Sequence, residues 1–109
     1  MTRSSEAWRI TWRIGGDARI TRVAAPHRKF HTDERDVDLT LPSTLALDVT
    51  CTEPPGTEVE NTFLILTAES GGRMWRILAR MRVRVDAEGV PRPAIERVNV
   101  QEVGFSGQR

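Results

Sequence analysis

Apolar and polar residues alternate along most of this chain. Trp8, Ile10, Trp12 and Ile14 are separated by Arg9, Thr11 and Arg13, the period of two that marks a half-buried β-strand. The same period returns at Val37, Leu39 and Leu41, and again at Leu45, Leu47, Val49 and Cys51. Thr57 to Ala68 and Ile95 to Phe105 are longer runs rich in β-formers. Turn residues separate the runs at Gly15-Gly16-Asp17, Glu53-Pro54-Pro55-Gly56, Ser70-Gly71-Gly72 and Asp86-Ala87-Glu88-Gly89, since proline presets φ and glycine accepts positive φ. Ala18 to Ala24 reads as a strand returning from the first turn. Pro26 to Asp36 is polar and irregular and reads as a loop or one short helical turn.

Residues 73–85 fit two periods. Met74, Ile77, Leu78 and Met81 match helical spacing, whereas Trp75, Ile77, Ala79, Met81, Val83 and Val85 match a strand over a longer stretch. The Gly-Gly turn ahead and the Val-Arg-Val alternation favour the strand. The pattern predicts one antiparallel all-β domain over residues 1–109, a sandwich or partly open barrel of about six to seven strands. Its last four strands are expected to form a meander, with 1–6 and 106–109 frayed.

The central hairpin admits two registers that face its side chains oppositely. A three-residue loop at Ser70-Gly71-Gly72 places Val59, Phe63 and Ile65 against Val83, Ala79 and Ile77, and pairs Glu60 with Arg82 and Glu58 with Arg84. Opposite charges facing each other across strands are favourable, and glycine closing a three-residue loop is common. This register is therefore expected. It leaves Leu64, Leu66, Met74 and Leu78 together on the outer face. A solvated face does not ordinarily carry that much apolar surface. Either an element from residues 25–44 covers it, or another chain does. These four residues are the expected partner interface.

Bulk composition names no partner: 39% hydrophobic, 28% charged and a formal net charge of +1. The distribution is less even. Residues 1–30 hold seven Lys or Arg against two acids, 31–70 hold Arg35 against nine acids, and 71–109 hold eight Arg against four acids. Such blocks point to internal pairing or to separate charged surfaces. If Gly15-Gly16-Asp17 closes a hairpin, Arg13 stands opposite Arg19 with Arg9 on the same face. Like charges across strands are unfavourable. Arg9, Arg13 and Arg19 are thus a candidate anion or nucleic-acid site, unless Asp33, Glu34, Asp36 or Asp38 neutralises them.

Self-contained catalysis finds little support. His27, His31, Asp33 and Glu34 are the only metal-like grouping, and Pro26 breaks the helix that would align the histidines. Cys51 shares the phase of Leu45, Leu47 and Val49, a core position that implies an inert buried thiol. As the only cysteine it allows no intrachain disulfide. Trp8, Trp12 and Trp75 lie in phase with aliphatic residues, as core rather than stacking platforms. No nucleophile-elbow, phosphate-loop or zinc signature is present. Thr57 to Val85 resembles the closing hairpin of cone-shaped α+β ligand-binding domains, but the N-terminal helices of that class have no counterpart here.

The expected function is a non-catalytic interaction module acting through a protein partner or self-association, with no cofactor and no metal. The alternatives are nucleic-acid or anion binding by the first hairpin, and a small-ligand barrel. With no apolar run of signal-peptide or membrane-spanning length, the expected setting is cytoplasmic, away from membranes.

Overall fold

Alternation becomes strand almost everywhere it occurs. A computed structural model describes residues 7–103 as seven strands: β1 (Ala7–Ile14), β2 (Arg19–His27), β3 (Phe30–Thr40), β4 (Ser43–Thr50), β5 (Glu58–Ser70), β6 (Arg73–Val85) and β7 (Pro91–Val103). No helix occurs among the described residues, so the ambiguous stretch 73–85 is strand. Phe105 and the frayed ends expected at 1–6 and 106–109 lie outside the described residues. The strands form one curled antiparallel sheet in the order β1-β4-β3-β2-β5-β6-β7, a partly open barrel.

Strand parity explains the opening. Seven strands that alternate in direction leave the two edges, β1 and β7, running the same way. Antiparallel closure needs an even number, and β1 and β7 do not pair. The seam is narrow at one end, where Trp8, Ile10 and Trp12 meet Val90, Pro91 and Pro93 around a cleft of about 340 Å³. Asp86 sets the start of β7. Its carboxylate accepts the N–H groups of Glu88 and Val90, each at 2.9 Å, and the Arg92 Nε–H at 3.0 Å. The Val90 backbone bond is the largest influence holding that carboxyl below its ordinary range.

The concave face is the core. Ile20, Val23, Phe30, Leu47, Val49, Met81 and Val83 are wholly or almost wholly buried, and Trp8, Ile10, Trp12 and Ile14 pack partly buried against them. Two buried threonines satisfy their hydroxyls on the backbone: Thr32 donates to Asp48 O at 2.9 Å and Thr62 to Met81 O at 2.8 Å. Buried hydroxyls without such partners are costly.

Three features differ from the sequence expectation. The C-terminal meander has three strands, β5-β6-β7, because β4 pairs with β1 over its whole length and touches β3 in register only at Thr50 opposite His31. Gly15-Gly16-Asp17 does not close a hairpin; it connects β1 to β2 across two intervening strands. The polar segment 26–36 is strand apart from the Arg28-Lys29 turn. Two bulges against β2, between Ile20 and Arg22 and between Val23 and Ala25, break its alternation and leave Asp33 to Asp36 all exposed.

Candidate functional site

The central hairpin closes on two residues, with Ser70 opposite Arg73, not on three. Leu66 then faces Ile77 and Leu64 faces Ala79. Leu64 and Leu66 are buried in the core, at 2% and 3% exposure. Met74 and Leu78 lie on the convex face. The four-residue outer cluster expected from the sequence therefore does not exist as one surface. The ion pair expected at the other end is present: Glu58 stands opposite Arg84, with Arg84 Nη2 3.2 Å from Glu58 Oε2.

Both ends are reconciled by one bulge. Val59 faces Val83, but Thr62 faces Met81, so Glu60 and Asn61 together oppose Arg82. Asn61 takes φ 61°, a left-handed conformation that Asn tolerates better than most residues. Its Oδ1 accepts a 2.8 Å bond from Arg80.

Arg9, Arg13 and Arg19 are also separated. Arg9 and Arg13 lie on edge strand β1 and Arg19 on β2, with β4 and β3 between. Arg9 pairs with Asp48 at 3.1 Å. Arg19 bridges Asp38 at 3.0 Å and Glu69 at 2.9 Å, and these hydrogen bonds raise its already high pKa. Arg13 faces Thr44 rather than another arginine. The like-charge pairing that suggested an anion site is absent. Asp36 and Glu34 do serve as neutralisers, but of Arg22, at 3.1 and 3.4 Å.

His31 Nε2 lies 2.7 Å from Asp33 Oδ1, and His27 Nδ1 accepts the Lys29 N–H at 3.0 Å, capping the turn. No group of three metal-ligating side chains gathers among the described residues. Cys51 is 4% exposed, and burial pushes its thiol pKa up. Its reaction with a thiol reagent is expected to be negligible in the folded state and complete after denaturation, read by absorbance. Prompt stoichiometric reaction of the native protein would contradict the buried placement.

The feature that sequence reading missed is the free edge of β7. Val85 exchanges its backbone bonds on the β5 side, donating to Thr57 O at 2.9 Å and accepting from Gly56 N–H at 2.8 Å. Alternation then turns Val83, Met81, Ala79, Ile77 and Trp75 the same way. Their partners on β7 are Pro91, Pro93, Ile95, Val98, Val100 and Glu102, so these residues point their backbone groups away from the sheet. Pro91 and Pro93 have no N–H to offer, which protects the first part of the edge. Beyond them Ile95, Val98 and Val100 combine free backbone with side chains 47%, 52% and 58% exposed. A bulge opposite Arg80 lies between Ile95 and Val98. Beside this edge, Ala18, Ala68, Trp75, Ile77 and Val100 line an apolar hollow of about 280 Å³. The Trp75 indole N–H is held on Ser70 O at 3.3 Å.

Comparison with family models, curated proteins and solved structures gives no match. No helix among the described residues is long and apolar enough to cross a membrane.

Proposed function

We propose that this chain is a non-catalytic interaction module that engages an extended protein segment by strand addition at β7. One observation carries the reading: the most exposed large aliphatic side chains of the described residues, Ile95, Val98 and Val100, are the residues whose backbone groups face away from β6. Strand addition needs both, because main-chain bonds supply affinity and alternate side chains supply specificity. The same reading takes a reducing, cytoplasmic setting, in keeping with a lone buried thiol.

Proline substitution separates edge from ladder. Val100 stands opposite Ile77 with its N–H directed outward, so Val100→Pro repeats what Pro91 and Pro93 already do and is expected to melt close to the wild type. Asn99 stands opposite Leu78 and donates inward to β6. Asn99→Pro removes that bond and leaves a carbonyl unpaired, a loss of about 1–3 kcal/mol. For a domain of this size that lowers Tm by roughly 4–8 °C per kcal/mol. Equal melting of the two variants would refute the assignment of the edge.

The functional test uses the same substitution. Affinity capture from the native host is run with wild type and with Val100→Pro. A protein retained by the first and lost by the second is expected; one held equally by both would overturn the edge as the working surface.

A further inference from the structure

Resting on that reading, we infer that the segment added to β7 is β7 of a second copy, related by a twofold axis at Asn99. A homodimer of this kind presents the same patch twice, so the strand must be complementary to itself when reversed. Only residues with outward backbone can bond across the new contact, which leaves a short set of registers. With the axis at Val100, Val98 meets Glu102 and an exposed aliphatic side chain is set against a carboxylate. With the axis at Val98, Val100 runs into the bulge at Glu96. With the axis at Asn99, Val98 meets Val100 of the second copy, twice, and exchanges both backbone bonds with it.

The sequence around that axis reads alike in both directions. Arg97-Val98-Asn99-Val100-Gln101 is polar, apolar, polar, apolar, polar. Arg97 faces Gln101 of the second copy, and the two Asn99 side chains meet as a pair without backbone bonds between them, the closer kind of antiparallel pair. Glu96 and Glu102 of opposite copies approach one another at the ends. Each has a cation of its own: Glu96 lies 3.0 Å from Arg82 and Glu102 lies 3.6 Å from Arg73. Pro91 and Pro93 prevent the contact from sliding toward the start of β7, because a strand placed there finds no N–H donors. The regular match is short, so the association is a concentration-dependent equilibrium rather than an obligate dimer.

The test combines mass, an edge block and a register probe. Sedimentation of the wild type is expected to move from monomer to dimer with rising concentration, and Val100→Pro to stay monomeric while melting like the wild type. Asn99→Cys is expected to form a disulfide-linked dimer under mild oxidation, since its two copies meet at the distance such a bond requires. Arg92→Cys, beyond the axis, is expected to remain uncrosslinked; buried Cys51 does not compete. A dimer that persists in Val100→Pro, or one that crosslinks through Arg92→Cys and not through Asn99→Cys, overturns the inference. So does a wild type that is monomeric up to about 1 mM, the range of the weakest specific complexes. If that monomer still captures a Val100→Pro-sensitive partner, strand addition stands and self-pairing falls. If the capture is insensitive, both fall.

Discussion

Leu66→Glu is expected to abolish folding, and Leu78→Glu to leave it intact. Leu66 is 3% exposed and sits on the concave face between Val23 of β2 and Ile77 of β6. Replacing it removes a buried leucine, a loss of about 2–5 kcal/mol, and puts a carboxylate where none of the surrounding core side chains is a cation. The second loss is of several kcal/mol more unless the group protonates. Together they match the whole stability of an ordinary domain, about 5–15 kcal/mol. Leu78 lies on the other face, half-buried, with Arg76 and Arg80 two residues away on either side. A glutamate there reaches solvent and has two cations on its own face. Far-UV circular dichroism and thermal melting separate the variants. Two variants that behave alike, both folded or both unfolded, would restore the three-residue turn, which sets Leu66 and Leu78 on one face.

That pair of leucines also shows where the sequence could and could not be read. Strand identity was legible because period two is a local signal: Trp8 to Ile14, Leu45 to Cys51 and Val59 to Val85 all carry it. Cys51 was legible as core for the same reason. Facing was not, because it depends on counting residues between two turns, and one residue in the left-handed region resets the count. Glu58 opposite Arg84 and Val59 opposite Val83 were read correctly from one end of the hairpin. Between Thr62 and Ser70 the residues of β5 are expected on the wrong face, whereas Trp75, Ile77 and Ala79 of β6 are expected on the core face, where they lie. The neighbours of β1 were out of reach as well. A two-glycine turn before β2 looks local, yet β1 pairs with β4, from Ile14 opposite Ser43 to Ala7 opposite Thr50, with no mark in the intervening composition.

The edge of β7 was only half visible. Its apolar residues could be listed from the sequence, but a strand known only by its own alternation has no identified free side. Two facts supply it: the order that leaves β7 outermost, and the Val85 bonds that fix which of its partners face outward. Pro91 and Pro93 were the available signal. Two prolines two residues apart in a strand are tolerated only where N–H groups are not needed inward, so they mark both an edge and the phase of its free backbone.

Deleting Asn61 and deleting Ile65 are one-residue changes to the same strand with opposite expected results. Loss of Ile65 shifts one side of β5 by a residue against both β2 and β6. Either Leu66 and Ala68 or Thr62 and Leu64 must then turn to the convex face. Each large aliphatic side chain exposed in this way forfeits roughly 1.5–3 kcal/mol, and buried Thr62 loses its bond to Met81 O if its half of the strand is the one that turns. No folded protein is expected. Loss of Asn61 removes the extra residue of the bulge. Val59 remains opposite Val83 and Thr62 opposite Met81, so the core face is unchanged. Glu60 comes to stand opposite Arg82, a cross-strand pair of about 0.2–1 kcal/mol. The losses are the Arg80 bond to Asn61 and the added twist that a bulge gives its strand. The shortened chain is therefore expected to fold, with Tm within several degrees of the wild type. Failure of both deletions would mean that the bulge supplies curvature the barrel requires, and that the two registers cannot be joined by a regular ladder.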